Sequence, residues 1–364
     1  MPVKSLKSKL KKLKPKKPRS KEPLWKGPEV DGITQSMLSR FIICRERFRL
    51  RVVEGLAPPD TFNYRIEYGQ MWHLCGESPT DWKLLLRDYA RNLCKKYPLQ
   101  QEQISHWYQV CKVQFPVYVD YWKKHESKQQ RRSLFQEEVF DVWYKLPSGR
   151  VVRLRGKWDE LLILGAKRNA GIYLQENKSK GNINEVQIRR QMQFDLQTMF
   201  YFTALLKMHQ PNDPPSVFGA PIRGVIYNCI RRPLSGGKGS IRRHKATSKN
   251  PEETVEAFYN RLEGIIREDP DSYFFRWKVE ITQEDVDRFA QEFLNPILES
   301  LCDWYEIVVK KSCVAFMTSA VHYRTPFGIY NILAEGGSTD VDEYLATRNE
   351  VGLVRGSKLF RELE

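Results

Sequence analysis

The chain has 364 residues, of which 41% are hydrophobic and 12% aromatic, and it carries a formal net charge of +16. We expect one main domain with a sizeable insertion, because this length is long for one core and short for three. The basic excess favours a polyanionic partner, although charge alone does not distinguish DNA from RNA or an anionic membrane surface. Long apolar runs and the apolar core of a signal peptide are missing, so we expect a soluble cytoplasmic protein with no membrane partner.

Residues 1–28 form a basic segment that is rich in lysine, with several prolines among the lysines. Like-charge repulsion and the scarcity of apolar side chains predict a disordered tail. Such a tail can keep the chain soluble, tether it to DNA or act as a targeting signal, and the sequence leaves these alternatives open. We assign residues 29–320 to the main domain, with a helical insertion at 60–130, and residues 321–364 to a C-terminal segment.

The first part of the main domain shows helical periodicity. Residues 33–54 are predicted to form a helix, because apolar residues recur at helical spacing up to Phe48 behind a capping residue at Thr34 or Ser36. Residues 60–130 carry more helical pattern and are rich in Trp, Tyr and Lys. Aromatic stripes of this kind usually pack in a core, and the alternative is a surface on which bases stack.

Beyond residue 133 the pattern favours β-structure. Strands are expected at 134–146, 151–164 and 172–178, and the short turns between them predict an antiparallel meander. Further elements are expected in this order: a helix at 185–208, a strand at 223–231, a helix at 252–268, a strand at 273–281 and a helix at 283–310. The pattern indicates a mixed α/β fold class.

Glu176 and Lys178 lie near the end of the third strand, and strand alternation places both on the face that carries Ile172 and Leu174. Asp159, on the preceding strand, can lie opposite Glu176, close enough for the two carboxylates to share a cation. Mg²⁺ prefers one or two carboxylates together with phosphate oxygens. A metal held there can activate water and stabilise the charge that develops during phosphodiester cleavage.

Two neighbours on the third strand would complete this chemistry. Lys178 would orient or deprotonate the water, or stabilise the pentacovalent transition state. The backbone carbonyl of Asn177 is a further candidate metal ligand. The alternative is a cross-strand ion pair on a solvated strand face, because an Asp…Glu-x-Lys pattern is short and common.

The helix that follows carries polar residues of interest. Gln197 and Tyr201 are four residues apart and share one helix face, where a metal-site carboxylate, the lysine or a DNA phosphate would satisfy them. Arg189, Arg190 and Gln193 lie earlier in the same predicted helix and are candidate DNA contacts. An ordinary amphipathic helix with its polar residues facing outward is the alternative.

Two further candidates come from elsewhere in the chain. His73 can complete a metal shell that holds two carboxylates, and otherwise it is a satisfied core histidine. The loop at 233–250 is rich in Gly, Lys and Arg, so Arg242, Arg243 and Lys245 are candidate DNA contacts or parts of a solvated hairpin tip. Its glycine run lacks the spacing of a Walker A loop, which predicts that any helicase is a separate chain.

Taken in this order, the motifs resemble the RecB-like branch of the PD-(D/E)XK nucleases, which includes Cas4-like enzymes and many phage exonucleases. The resemblance rests on these segments: the helix from Ser39 to Leu50, Gly69 to His73, Gly156 to Asp159, Glu176-Asn177-Lys178, and Gln197 to Tyr201. It implies a restriction-endonuclease-like core with a mixed central sheet flanked by helices. It further implies Mg²⁺ or Mn²⁺ bound by His73, Asp159 and Glu176, with Lys178 catalytic and Gln197 and Tyr201 supporting the site or contacting DNA.

Cysteine usage departs from the pattern of the Cas4-like enzymes, which hold an iron–sulfur cluster with one Cys before the nuclease core and three after it. Cys44 lies where the first ligand would be, but Cys229, Cys302 and Cys313 lack the clustered spacing of the other three. We therefore expect no cluster and interpret Cys44 as a buried thiol. The odd count of 7 cysteines without a CxxC pair predicts reduced thiols.

The function that the resemblance implies is exonucleolytic cleavage of DNA in recombination, repair or phage replication, in a bacterial or phage-infected cell. A separate single-strand annealing protein or helicase is a candidate partner. One alternative is a nucleic-acid-binding module on the same fold that has lost catalysis, and another is a basic scaffold protein. The intact set of Asp159, Glu176 and Lys178 favours the enzyme. Digestion polarity, strand preference and oligomeric state are not written in these motifs.

Overall fold

The computed structural model describes residues 23–57, 60–78, 80–126, 130–192, 195–208, 220–233, 241–248 and 251–311, with 354–355, 359–360 and 363. Residues 1–22 of the predicted basic tail and most of the predicted C-terminal segment lie outside the described residues. The assignments made for those parts, and the domain limits, therefore stay predictions.

A mixed sheet lies at the centre of the described chain. Its strands are β1 (Ile33–Thr34), β3 (Arg131–Lys145), β4 (Val151–Leu164), β5 (Gly171–Lys180), β6 (Ile222–Arg231) and β7 (Phe274–Glu280). The order is β1-β4-β5-β6-β7, and β3 pairs with β4. β1 with β4 and β5 with β6 are parallel, whereas β3 with β4, β4 with β5 and β6 with β7 are antiparallel. A separate antiparallel pair joins β2 (Leu56–Ala57) to β8 (Val354–Arg355).

One set of helices packs with the sheet into the main apolar core. It comprises α1 (Gln35–Ile43), α2 (Arg45–Phe48), α6 (Glu185–Met192), α7 (Leu196–Met208), α9 (Gln283–Phe289) and α10 (Asn295–Trp304). Trp25 is fully buried here, with its ring 5.2 Å from that of Phe48 and 5.3 Å from that of Tyr305. Each large side chain buried in this way stabilises the fold by roughly 1.5–3 kcal/mol.

A second apolar cluster is formed by the predicted insertion. Helices α3 (Tyr64–Glu77), α4 (Trp82–Lys96) and α5 (Gln101–His125) join α8 (Val255–Glu268), and Ile230 and Phe274 connect them to the sheet. Trp72, Trp107 and Phe115 are buried in it. The helical prediction for this region is confirmed, and these aromatic rings belong to a core and not to a base-stacking surface.

The element predictions beyond residue 133 agree closely with the structure. The three predicted strands correspond to β3, β4 and β5 and form the expected antiparallel meander. The predicted strands at 223–231 and 273–281 correspond to β6 and β7, and the helix at 252–268 corresponds to α8. The prediction of a mixed α/β fold with a central mixed sheet flanked by helices is confirmed.

Two helix predictions were too simple. The helix predicted at 33–54 begins at Gln35, with Thr34 as its cap, and is interrupted at Cys44, where φ is −162°. The thiol of Cys44 is buried, as expected. The helix predicted at 185–208 is two helices, because the Asp195 carboxylate accepts a hydrogen bond of 3.0 Å from the amide of Thr198 and starts α7 there. Short acidic side chains favour helix starts over helix interiors for this reason.

Among the described residues, every helix is too short or too polar to cross a lipid bilayer.

Candidate active site

Strand β4 pairs with two different strands along one of its edges. It pairs with β1 near Leu154 and with β5 only from Glu160 onwards. Asp159 lies where β4 and β5 diverge, and its Oδ2 accepts a hydrogen bond of 2.7 Å from the amide of Asn177 on β5. A carboxylate thus takes the place of a ladder partner, which satisfies a backbone donor that would otherwise need one. The divergence leaves a crevice bordered by Asp159 and Asn177.

The acidic and basic residues of β5 meet as alternation predicted. Lys178 Nζ donates to Glu176 Oε2 over 2.9 Å. Gln197, from the first turn of α7, joins the pair: its Nε2 donates to Glu176 Oε2 over 3.0 Å, and its Oε1 accepts from Lys178 Nζ over 3.1 Å. Glu176 is only 2% exposed, whereas the Lys178 side chain is 36% exposed and borders solvent. The three side chains form one hydrogen-bonded unit.

Burial and neighbouring charges set the protonation of this unit. Burial raises the pKa of Glu176 to about 7; the charge of Asp159 adds to the rise, while Lys178 opposes it. Burial acts to lower the pKa of Lys178, but the charges of Glu176 and Asp159 outweigh it and raise that pKa. Lys178 is therefore a cation at neutral pH, and the Glu176 carboxyl titrates near neutrality.

His73 reaches the site from helix α3. Its Nδ1 lies 3.2 Å from Glu137 Oε1 and 3.9 Å from Asp159 Oδ1. Burial acts to lower the pKa of His73, yet the hydrogen bond to Glu137 and the charge of Asp159 raise it overall. His73, Glu137 and Asp159 each offer a ligand atom, and these atoms all lie within 4.8 Å of one another. The histidine is therefore placed against carboxylates, and not in an apolar core.

Glu137 is the residue that our sequence analysis missed. It lies on β3, where Gln136 pairs with Glu160 and Glu138 with Trp158, so that Glu137 is opposite Asp159. Its φ of 52° is in the left-handed region, which costs a residue other than glycine roughly 1–2 kcal/mol. Lys157 Nζ lies 2.8 Å from its Oε2. The hairpin register was the available signal, because any residue of β3 paired with Asp159 borders the same crevice.

Tyr201 lies one turn beyond Gln197, on the same face of α7. It is 9% exposed, and its ring meets that of Phe140 edge to face at 5.3 Å. Gly156 lies beneath these rings, where a Cβ would come within 2.4 Å of Phe140 and 3.0 Å of Tyr201. Tyr201 therefore packs behind the site.

The candidate DNA contacts lie away from the buried unit. Arg189 and Arg190 are exposed on α6, and Arg189 Nε donates to Glu185 over 2.8 Å. Arg242 and Arg243 line an open groove of about 880 Å³ beside α5 and α8, and Lys245 is exposed further along the same segment. Gln193 lies outside the described residues. The structure thus groups Glu176 with Lys178 and Gln197, and His73 with Glu137 and Asp159, while Glu176 is not part of the second group of close ligand atoms. The described basic candidates are exposed.

The donor set of the crevice fits the divalent cation that the resemblance implies. Carboxylate oxygens are the ligands preferred by Mg²⁺ and Mn²⁺, and imidazole nitrogen is an accepted ligand of first-row transition metals. Glu137 and Asp159 supply such oxygens beside the nitrogen of His73. Burial raises the pKa of Glu176 and the negative charge of Asp159 adds to the rise, so a cation bound beside these carboxylates would oppose that rise.

A comparison with known families agrees with this geometry. Residues 33–300, which are more than half of the chain, match the model of the PD-(D/E)XK nuclease superfamily. The match includes the crevice residues on α3, β3, β4, β5 and α7. No curated protein sequence matches the chain. On the strength of the family match, together with a mixed sheet that carries the Asp…Glu-x-Lys residues at its crevice, the chain belongs to the PD-(D/E)XK nuclease superfamily.

Proposed function

We propose that the protein is a divalent-metal-dependent deoxyribonuclease whose active site is the crevice between β4 and β5. Membership of the superfamily supports phosphodiester hydrolysis in general. The observation that carries the proposal is the convergence of Asp159, Glu176 and Lys178, with His73 beside them. A cross-strand ion pair on a solvated face accounts poorly for this arrangement, because Glu176 is 2% exposed and its Oε2 also accepts a hydrogen bond from Gln197.

In this proposal His73, Asp159, Glu176 and the Asn177 carbonyl hold the cation, and Glu137 is an additional ligand. When bound, a divalent cation supplies a more acidic water and neutralises charge on the phosphate. His73 reaches Asp159 from α3, Glu137 lies opposite it on β3, and Glu176 on β5 is close enough for the charge of Asp159 to raise its pKa. Asp159 therefore joins the two halves of the site.

Lys178 contributes a fixed positive charge at the mouth of the crevice. Its raised pKa keeps the ammonium group protonated at neutral pH, which favours stabilisation of the transition state over abstraction of a proton from water. Gln197 and Glu176 hold the ammonium by hydrogen bonds of 3.1 and 2.9 Å. Because part of its side chain borders solvent, Lys178 can meet a phosphate oxygen without rearrangement of the core.

The finer parts of the proposal rest on the resemblance. We place the enzyme in the RecB-like, Cas4-like branch as an exonuclease of recombination, repair or phage replication, in the cytoplasm of a bacterial or phage-infected cell. Tyr201 and Gln197 support the site. The DNA contacts proposed outside the crevice are Arg189, Arg190, Gln193, Arg242, Arg243 and Lys245. A single-strand annealing protein or a helicase acts as a separate chain.

The proposal is tested by digesting end-labelled linear DNA and closed circular DNA with Mg²⁺ or Mn²⁺. We expect loss of linear DNA only, and a fall in rate of about 10²–10³-fold in Lys178→Ala, the usual effect of removing one group that stabilises developing charge. Lys180→Ala is the matched control, because it removes the same charge two residues along β5. Cutting of the circle would make the enzyme an endonuclease. DNA binding without cleavage of either substrate would replace the proposal with a non-catalytic binding module.

A further inference from the structure

A second polar cluster lies behind the candidate active site, on the opposite face of β5. Gln175 and Asn177 alternate with Glu176 and Lys178 along β5. Asn177 meets Asn228 on β6, whereas Glu176 and Lys178 meet α7. Gln175 is 4% exposed, and Asn228 on the neighbouring strand β6 is 1% exposed. Polar side chains buried this deeply cost stability unless every group is satisfied, so the cluster calls for an account of what it holds.

The cluster is a continuous chain of hydrogen bonds that leads to Asn177, whose Oδ1 also accepts from Gln175 Nε2 over 3.2 Å. Asn177 Oδ1 accepts from Asn228 Nδ2 over 2.7 Å, and Asn228 Oδ1 accepts from Arg276 Nε over 3.1 Å. The hydroxyl of Tyr118, on α5, accepts from Asn228 Nδ2 over 2.7 Å and from an Arg276 terminal nitrogen over 2.8 Å. Asn228 is therefore fixed from both sides, by β7 and by α5.

Arg276 anchors this chain. Its side chain is 11% exposed, it forms an ion pair with Glu126, and its guanidinium lies 4.1 Å from the centre of the Trp122 ring. Glu126 is also 3.7 Å from Arg131, which in turn bonds Glu160 over 2.7 Å. The planar guanidinium is held by hydrogen bonds, charge and ring stacking together, which restricts it to one orientation.

The far end of the chain bears directly on the site. The Asn177 amide donates to Asp159 Oδ2 over 2.7 Å. In an extended strand, the N–H and C=O of one residue point to the same side. The carbonyl of Asn177 therefore faces the same crevice as its amide, and it does so where the pairing of β4 with β5 has already ended at Glu160 and Gln175. The orientation of Asn177 therefore determines both the direction of its carbonyl, a proposed metal ligand, and the position of the Asp159 carboxylate.

We propose that Asn228 and Arg276 are positioning residues of the active site, which hold the side chain of Asn177 and thereby aim its main chain into the crevice. The inference rests on the proposed function, because it takes the crevice to be a cation site. It also assigns a role to the helical insertion, since Tyr118 and Glu126 connect α5 and the segment after it to Asn228 on β6 and Arg276 on β7. Outer partners of this kind typically contribute 10–100-fold to metal affinity.

The variant Asn228→Asp separates this role from simple structural support. An aspartate keeps the oxygen that accepts from Arg276, but it lacks the amide group that donates to Asn177. Its second carboxylate oxygen would instead face Asn177 Oδ1, and two acceptors repel each other. It also adds a negative charge near the crevice, which by itself would strengthen cation binding. A weaker affinity for Mn²⁺ would therefore report lost positioning, and not lost charge.

The measurement is the melting temperature of the full chain in EDTA and across a Mn²⁺ titration, beside the Mn²⁺ dependence of DNA cleavage. We expect Asn228→Asp to melt within a few degrees of wild type in EDTA, to need roughly 10-fold more Mn²⁺ for half-saturation, and to recover its rate at high Mn²⁺. Arg267→Met is the control, because Arg267 is an exposed arginine that pairs with Asp120 on the far side of α5.

Several results would contradict the inference, and they can be told apart. Wild-type half-saturation in Asn228→Asp, with wild type responding to Mn²⁺, would overturn the positioning role alone. A wild-type protein that neither gains stability from Mn²⁺ nor cleaves DNA would remove the proposed function and this inference with it. If Asn228→Asp melts far below wild type in EDTA, Asn177→Ala replaces it, since it removes the oxygen that accepts from both Asn228 and Gln175. An unchanged Mn²⁺ half-saturation in that variant would also overturn the inference.

Discussion

Replacing Glu137 with glutamine tests the least expected member of the site. The change keeps the size of the side chain and removes its negative charge from the group formed with His73 and Asp159. Glu138→Gln is the matched control, because Glu138 is the next residue of the same strand, is exposed, and pairs with Trp158. Both variants lose one negative charge from β3, but only Glu137→Gln removes it from the crevice.

The size of the effect follows from ligand linkage. At a metal concentration of 100 times the dissociation constant, binding stabilises the native state by about 2.7 kcal/mol. A 10–100-fold loss of affinity would reduce this to roughly 0.4–1.4 kcal/mol at the same concentration. With about 2–4 °C of melting temperature per kcal/mol, the metal-induced shift should fall from roughly 5–11 °C to roughly 1–6 °C.

The assay is thermal unfolding of wild type, Glu137→Gln and Glu138→Gln, each in EDTA and at a series of Mn²⁺ concentrations. We expect the three proteins to melt at similar temperatures in EDTA, since the ion pair of Glu137 with Lys157 is partly exposed and contributes little. A full Mn²⁺-induced shift in Glu137→Gln would refute the reasoning. So would an equal loss of the shift in Glu138→Gln, because general charge and not ligation would then explain the result.

Three further predictions concern the stability of the fold and the pH dependence of metal binding. Gly156→Ala should destabilise the fold by roughly 1–3 kcal/mol, because its Cβ would meet the buried ring of Phe140 at 2.4 Å; an unchanged urea midpoint would contradict this. Because ligands must be deprotonated, the pKa of Glu176, raised to about 7, and the raised pKa of His73 both predict that Mn²⁺ affinity falls below pH 7, by up to about 10-fold per pH unit for each group. Mn²⁺ titrations at pH 6, 7 and 8 would show this, and equal affinities at all three would exclude both residues as ligands. Arg49→Met should cost roughly 3–5 kcal/mol in urea unfolding, since the guanidinium is 4% exposed and bonds Glu46 over 2.6 Å; a loss below about 1 kcal/mol would show that the pair is dispensable.

Much of the site could be predicted because its residues are related by local periodicity. Glu176 and Lys178 are two residues apart on a strand, so the alternation of side chains alone puts them on one face, where they form a hydrogen bond. Gln197 and Tyr201 share a helix face for the same kind of reason, and Gln197 contacts both members of the pair. The limits of the helix at 185–208 were missed because one Asp195 cap divides it, which a smooth apolar pattern does not reveal.

The sequence by itself determined the repeating elements of this protein, because the periods of 2 and 3.6 residues are properties of the backbone over a few residues. Only the tertiary structure decided which distant segments meet. The partner exchange of β4, the placement of Glu137 opposite Asp159 in a left-handed conformation, and the delivery of His73 by α3 all depend on pairing register and packing between residues far apart in the chain. The chain of hydrogen bonds that runs from Arg276 through Asn228 to Asn177 joins three strands of the sheet, and no local pattern contains it.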